Sequence, residues 1–377
     1  MVTKVLHIIP SLAKGGAERL VVDICRELSL RKSIEVYLVT FSDVNTYQFL
    51  TSTLSYKVIP SKVIPSIKSS ILIDVEALQT FIDDFQPDVI HSHLFETEMI
   101  LSAINYKKSK HFVHFHDNMK QFENLQLSTF QSKLNFTNYF EKIRIIKKYS
   151  KKDVNFIAIS KDTFDFVTKT TSDKFPKHLL HNAIDIKRFL CNNGEREKLR
   201  LVIIGSLVEK KGQELAIIVV KILHDRGLKV KLDILGDGPD FYKLQSKIDD
   251  FQLSEFIKLH GNVDYPENYL CRSTLYLHTA IYEPFGLVLI EAMASGLPIV
   301  CTDARGNRDL IVEGENGFMI SDRNPNSIAD KIELLLKDDK LWKAMSEKAV
   351  AFSKQFDISL YVDSLVELYN VNNSSST

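Results

Sequence analysis

The chain has 377 residues, too many for one ordinary hydrophobic core, so two domains are expected. Its composition, 45% hydrophobic and 25% charged with a formal net charge of +0, is that of a globular protein and gives no reason to expect a nucleic-acid partner. No apolar run approaches the roughly 20 residues that span a bilayer, the start lacks a signal-peptide cleavage site, and the four cysteines (Cys25, Cys191, Cys271, Cys301) show no metal spacing, so a reduced, cytoplasmic location is expected.

Short β-branched runs alternate with helical patterns, the signature of an α/β protein with parallel sheets. The first half predicts strands at 4–9, 35–41, 56–60, 88–93, 111–116 and 155–160. A first helix at 16–29 repeats Leu20, Val21, Ile24 and Leu28 at helical spacing. Residues 101–180 carry 15 Lys and Arg against 7 Asp and Glu, leaving 33 against 41 elsewhere. Within that basic region, residues 140–153 put Arg144, Lys147, Lys148, Lys151 and Lys152 at three- and four-residue steps, one face of a helix. Such a face is either solvated surface or a contact for anionic lipid.

The polar stretch 191–198 reads as a linker. Strands then resume at 200–207, 231–238, 257–263, 275–280 and 298–303, followed by a terminal helix from 356 to about 372 and a frayed NNSSST tail. The expected domains are 1–188, joined by the terminal helix, and 189–355. Two doubly wound, Rossmann-like domains of this kind would place a ligand cleft between their facing strand ends.

The chemistry concentrates at 283–300, EPFGLVLIEAMASGLPIV. A loop leaves the C-terminal end of the strand at 275–280, a helix begins near Leu287, Gly296 ends it and Pro298 prevents its continuation. The free N–H groups and positive dipole end at the helix start favour a phosphate. Glu291 lies one turn in and leans back towards that end. A carboxylate there suits neutral hydroxyls, and a ribose diol is the obvious match. Glu283, on the loop, does the same for a second polyol. Two hydroxyl-reading carboxylates around a phosphate-binding helix describe a nucleotide-sugar. A solvated pair and a glycosidase acid–base pair are the alternatives, but a neutral glycoside has no anion for the helix end.

The histidines of HSH (His91, His93) and HFHD (His114, His116, Asp117) fall at strand ends. Two histidines and a carboxylate suit a metal, and alternate strand positions suit layered packing equally. No metal is expected, and His91 and His93 are read as structural.

The 283–300 stretch resembles the E-x7-E signature of retaining glycosyltransferase family 4, enzymes of the two-domain GT-B fold, and the resemblance extends over nearly the whole chain. The glycine loop SLAKGGAER (11–19) matches the family's phosphate-facing loop at Gly15 and Gly16. The turn GSLVEKKGQE (205–214) matches at Gly205 and Lys211, the latter being the family's lysine on the diphosphate. Ser206 departs from the pattern, because the family commonly has an arginine there. His116 matches a histidine that contacts the donor sugar. HGNV (260–263), ending at Val263, matches an element near the nucleotide base, and TDARGNRDLI (302–311) resembles members that build bacterial surface polysaccharides.

The resemblance implies a retaining hexosyltransferase taking a nucleotide diphosphate-sugar, a UDP-sugar first, to a glycan or lipid-linked acceptor in capsule or lipopolysaccharide synthesis. Glu283, Lys211 and His116 would carry catalysis. Gly15, Gly16, Gly205, Ser206, Lys211, Val263, Glu283, Phe285, Gly286, Leu287 and Glu291 would hold the donor, with Asp117 on the acceptor side. The chain has no D-x-D motif, so Lys211 and the helix dipole would replace a divalent cation, and no cofactor is expected. An epimerase or phosphorylase of the same fold, or a silent sugar-nucleotide binding module, stands as the alternative.

Overall fold

A computed structural model describes residues 2–64, 72–106, 108–123, 133–191 and 196–370. The expected linker falls partly outside them, at 192–195, as does the NNSSST tail. The chain divides into two compact units: one runs to Asn182 and resumes at Ile358, and the other is Ala183–Asp357.

In the first unit the strands are β1 (Thr3–Ile9), β2 (Ile34–Thr40), β3 (Tyr56–Val58), β4 (Lys62–Ile64), β5 (Leu72–Asp74), β6 (Val89–His93), β7 (Lys110–Phe115), β8 (Val154–Ala158) and β9 (Lys177–Leu179). β4 and β5 pair as an antiparallel ribbon. The others form one parallel sheet in the order β3-β2-β1-β6-β7-β8-β9. Val5 to Ile9, all five residues of β6 and all five of β8 are buried, as expected of strands covered on both faces. The first helix, α1 (Gly16–Ser29), buries the predicted Leu20, Val21, Ile24 and Leu28. Next come α2 (Gln48–Thr51), α3 (Glu76–Phe85), α4 (Phe95–Leu101), α5 (Lys133–Tyr149) and α6 (Lys161–Thr170). The basic segment is only partly helical, because α5 stops at Tyr149 and leaves Lys151 and Lys152 in the following turn.

The second unit carries β10 (Arg200–Ile204), β11 (Lys231–Leu235), β12 (Ile257–Leu259), β13 (Leu275–His278), β14 (Ile299–Thr302) and β15 (Gly317–Ile320), all parallel, in the order β12-β11-β10-β13-β14-β15. Its helices are α7 (Gln213–Asp225), α8 (Phe241–Asp250), α9 (Glu267–Arg272), α10 (Leu287–Ala294), α11 (Pro325–Lys337) and α12 (Asp339–Ser353). The last helix, α13 (Ile358–Asn370), returns to the first unit, where Arg31 pairs with Asp363 at 2.9 Å. Both units are thus doubly wound α/β folds. The cysteines differ from expectation: Cys191 and Cys271, with Cα atoms 5.4 Å apart, form a disulfide, while Cys25 and Cys301 are free and buried. Sequence spacing hides this pair because its members lie 80 residues apart. No helix among the described residues is long and apolar enough to cross a membrane.

Candidate active site

In an open parallel sheet, loops at the carboxyl ends of two strands separate where the strand order reverses, and ligands bind there. In the second unit that point lies between β10 and β13. After β10 the chain makes a one-turn 3-10 helix at Glu209–Lys211 and passes through Gly212, whose φ of 66° is left-handed. A Cβ on Gly212 would lie 2.2 Å from the Thr279 carbonyl oxygen, so only glycine lets the two loops meet. The Ile281 N–H then donates to the Lys210 carbonyl at 2.8 Å.

This stitching brings Lys211 onto Glu283. The Lys211 ammonium donates to Glu283 Oε2 at 2.6 Å, and His278 Nε2, at the end of β13, lies 3.4 Å from the same oxygen. Glu283 is only 7% exposed. Burial raises its carboxyl pKa, but the contacts with His278 and Lys211 outweigh burial and hold it at about 2. Its backbone is fixed from both sides: its N–H donates to Ala304 at 2.9 Å and its carbonyl accepts from Gly306 at 3.0 Å. From the sequence Lys211 and Glu283 stand as separate contacts, and His278 is not singled out. The signal that marks it is its place at the carboxyl end of a strand, as for His116.

The loop runs directly into α10. Gly286, its N-cap, has a left-handed φ of 105° and no side chain to satisfy the first-turn N–H groups. Ser295 and Gly296, with φ of 75°, end the helix as the sequence predicts. Glu291 is partly buried. Burial pushes the Tyr276 phenol well up, and the Glu291 and Glu283 carboxylates add to this, so both acids lie within electrostatic reach of one ring. Ser206 is exposed, and its carbonyl accepts from Gln213 at 2.9 Å. Gly205 precedes it at the end of β10, and Val263 follows the Gly236–Gly261 bridge across the neighbouring strands. Phe285 is a core side chain, 1% exposed, whose ring packs against Phe356.

In the first unit, Gly15 caps α1, and the Tyr47 hydroxyl bridges its N–H and its carbonyl at 3.2 and 3.0 Å. Gly16 opens the helix. A Cβ on Gly15 would lie 2.1 Å from Glu18 Oε2, so the α1 N-terminus carries a carboxylate of its own, which sequence reading missed. His116 follows β7, is 8% exposed and contacts His93 Nδ1 through Nε2 at 2.9 Å; Asp117, next in the chain, is exposed. His91 and His93 are fully buried beside His7 and His114. The triads His7–His91–His93 and His93–His114–His116 each hold their ligand atoms within 4.8 Å of one another.

The basic residues occupy the opposite edge of that sheet, at the amino ends of β7 and β8. Lys110, Lys148, Lys151 and Lys152 line a cavity of about 740 Å³. Arg144, Lys147 and Ile143 line a second cavity of about 380 Å³, with Ile143 47% exposed. Lys152 departs from a solvated face: it lies over the Tyr106 ring and donates to the Tyr106 carbonyl at 3.1 Å. Burial, with Lys148 adding, lowers its pKa to about 6.

Residues 14–188 match the family model described as Glycosyltransferase Family 4, and residues 186–352 match Glycosyl transferases group 1. The poly(glycerol-phosphate) alpha-glucosyltransferase of Bacillus subtilis is 26% identical over 75% of this chain and 39% of its own length. An N-acetylgalactosamine-N,N'-diacetylbacillosaminyl-diphospho-undecaprenol 4-alpha-N-acetylgalactosaminyltransferase of Campylobacter jejuni is 30% identical over 61% of this chain and 63% of its own length. The chain thus spans less than two thirds of either relative. Among solved structures, Anabaena HepE in complex with UDP and glucose superposes with a TM-score of 0.77 at 19% identity, covering 97% of this chain and 99% of that one. TarM gives 0.79 at 16% identity over 98% and 99%.

Proposed function

The chain belongs to the glycosyltransferases of family 4 and group 1, with the GT-B fold, and we propose that it transfers a sugar, with retention, from a UDP-sugar held by the second unit to an acceptor held by the first. The observation that carries this reading is the Lys211–Glu283–His278 cluster beside the uncapped start of α10. The diphosphate lies on Lys211 and the amides of Gly286 and Leu287. Glu291 takes the ribose hydroxyls, Glu283 takes the sugar, and Val263 borders the base. As the bond from sugar C1 to the diphosphate breaks, negative charge grows on the leaving oxygen, where the ammonium and helix amides stabilise it. The acceptor oxygen bonds to C1 on the same face, and its proton passes to the departing phosphate oxygen.

Glu283 limits what Lys211 does before substrate arrives. A lysine has three donors, so one N–H can stay on the carboxylate while the others turn to phosphate. Within the first unit, Gly15, Gly16 and His116 are the candidate donor contacts and Asp117 the candidate on the acceptor side. Two relatives named as alpha-specific transferases support retention. The C. jejuni relative's name describes a diphospho-undecaprenol acceptor, which supports a lipid-linked glycan here in surface-polysaccharide synthesis. Arg144, Lys147, Lys148 and Lys151, with Ile143 exposed among them, fit a peripheral contact with the cytoplasmic face of an anionic membrane.

A panel of nucleotide-sugars, each assayed with and without a chelator, tests this. Slow release of UDP from one donor, unaffected by chelation, is expected. Epimerised sugar, formation of a sugar 1-phosphate when inorganic phosphate is added, or binding without turnover would each replace the transferase reading.

A further inference from the structure

Among the described residues, the polar centre of the first unit is its strangest feature. His7, His91, His93 and His114 are completely buried and His116 nearly so, all on one face of the sheet, with Tyr369 of α13 against His91 and His7. The contacts among His7, His91, His93 and His116 form, with Tyr369, a single file. His91 Nδ1 meets the Tyr369 hydroxyl at 2.7 Å, and that hydroxyl meets His7 Nε2 at 3.3 Å. His7 Nδ1 meets His93 Nε2 at 2.9 Å, and His93 Nδ1 meets His116 Nε2 at 2.9 Å. The two ring nitrogens at the ends of the file, His91 Nε2 and His116 Nδ1, are buried without a hydrogen-bond partner.

We propose that His91, Tyr369, His7 and His93 act as one proton-ordered chain that decides whether His116 offers a donor or an acceptor to a bound hydroxyl. Burial holds His7 and His116 at pKa values of about 3 and His91 and His93 well below the ordinary value, so all are neutral imidazoles. Each then carries one ring proton, and the phenol carries one. Five protons serve four contacts. If every contact is a hydrogen bond and the buried phenol proton is used in one of them, all must point the same way and the fifth proton stands at one end. Pointing towards His116, every ring is protonated on Nδ1 and His116 presents an N–H. Pointing away, every ring is protonated on Nε2 and His116 presents a lone pair. The directly linked rings of His7, His93 and His116 admit no mixed arrangement, and His91 could differ from them only if the Tyr369 oxygen accepted from both sides and left its own proton without one of these contacts. The four upstream groups are therefore positioning residues, and the role of His116 towards a sugar hydroxyl rests on the transferase reading above.

The same nitrogens approach the spacing of a metal site, but a bound metal needs their lone pairs to converge on one point, whereas 2.9 Å contacts between Nδ1 and Nε2 suit a proton between each pair.

The test is tautomer assignment by long-range proton–nitrogen NMR on the full chain with labelled histidine, without substrate, so its outcome is independent of whether transfer is ever detected. His7, His91, His93 and His116 are expected to share one tautomer. Different tautomers at His7, His93 and His116 would overturn the proposal, as would a stoichiometric metal in the purified protein. Tyr369→Phe keeps the ring and deletes the link; the His116 nitrogen signals are then expected to lose their single-tautomer pattern and move towards the average. Unchanged His116 signals in a folded variant would also overturn it. Should that variant not fold, the wild-type tautomers decide alone.

Discussion

Lys211→Met removes one partner from a carboxylate that stays buried. Holding Glu283 at about 2 rather than its ordinary 4.5 corresponds to about 3.4 kcal/mol of preference for the charged form. Lys211 is 19% exposed and His278 remains beside the carboxylate, so the loss should lie just below the ~3–5 kcal/mol typical of a broken buried pair, at about 2–3 kcal/mol. Because the folded-state pKa is depressed, this contribution is complete above about pH 4.5 and disappears as pH falls towards 2. The gap between wild type and variant should therefore be full at pH 7 and much smaller at pH 3. Urea denaturation followed by the fluorescence of Trp342 measures it, since this single tryptophan lies in the second unit and its indole N–H donates to Thr274 at 2.7 Å. A gap below about 0.5 kcal/mol at pH 7, or one that does not narrow in acid, would refute the reasoning.

Glu291→Ala should weaken binding of free UDP by roughly 10–150-fold, the value of one charged hydrogen-bonding partner; unchanged affinity in calorimetry would exclude the ribose assignment. Glu98, fully buried in α4 and accepting from the Tyr149 hydroxyl, has its carboxyl raised by burial to about 7. That contribution is complete below about pH 4.5 and lost as pH rises through 7, so Glu98→Gln should gain on wild type by up to about 3 kcal/mol between pH 4.5 and 8. Denaturation followed by circular dichroism checks this, and parallel pH slopes would contradict it. Liposomes containing anionic lipid should bind the protein at low salt, and reversing Lys147, Lys148 and Lys151 to Glu should abolish binding; wild type that ignores such liposomes leaves a solvated face.

The buried parallel strands were legible because covered sheets demand continuous apolar runs. The runs at 88–93 and 298–303 became β6 and β14 almost to the residue. β9 and β15 were not legible: they are three- and four-residue edge strands, one with a polar KHL sequence and the other beginning at a glycine. The α10 start was readable from Gly286, Gly296 and Pro298, since these are local backbone signals. The Lys211–Glu283 pair and the Cys191–Cys271 bridge exist only once distant loops close, 72 and 80 residues apart. The histidine file was half visible as HSH and HFHD. His7 and Tyr369, which complete it, come from opposite ends of the chain.

The return of α13 to the first unit has a consequence for synthesis on the ribosome. Tyr361, Val362, Leu365 and Tyr369 belong to that unit's core, yet they are made only after the intervening unit of about 175 residues. At ~5–20 residues per second, that is a wait of roughly 10–35 s. The part translated first should be the last to be finished. Released chains that end just before Ile358 are expected to hold a folded second unit and a first unit whose apolar surface still lacks α13, a substrate suited to chaperones that recognise exposed apolar segments.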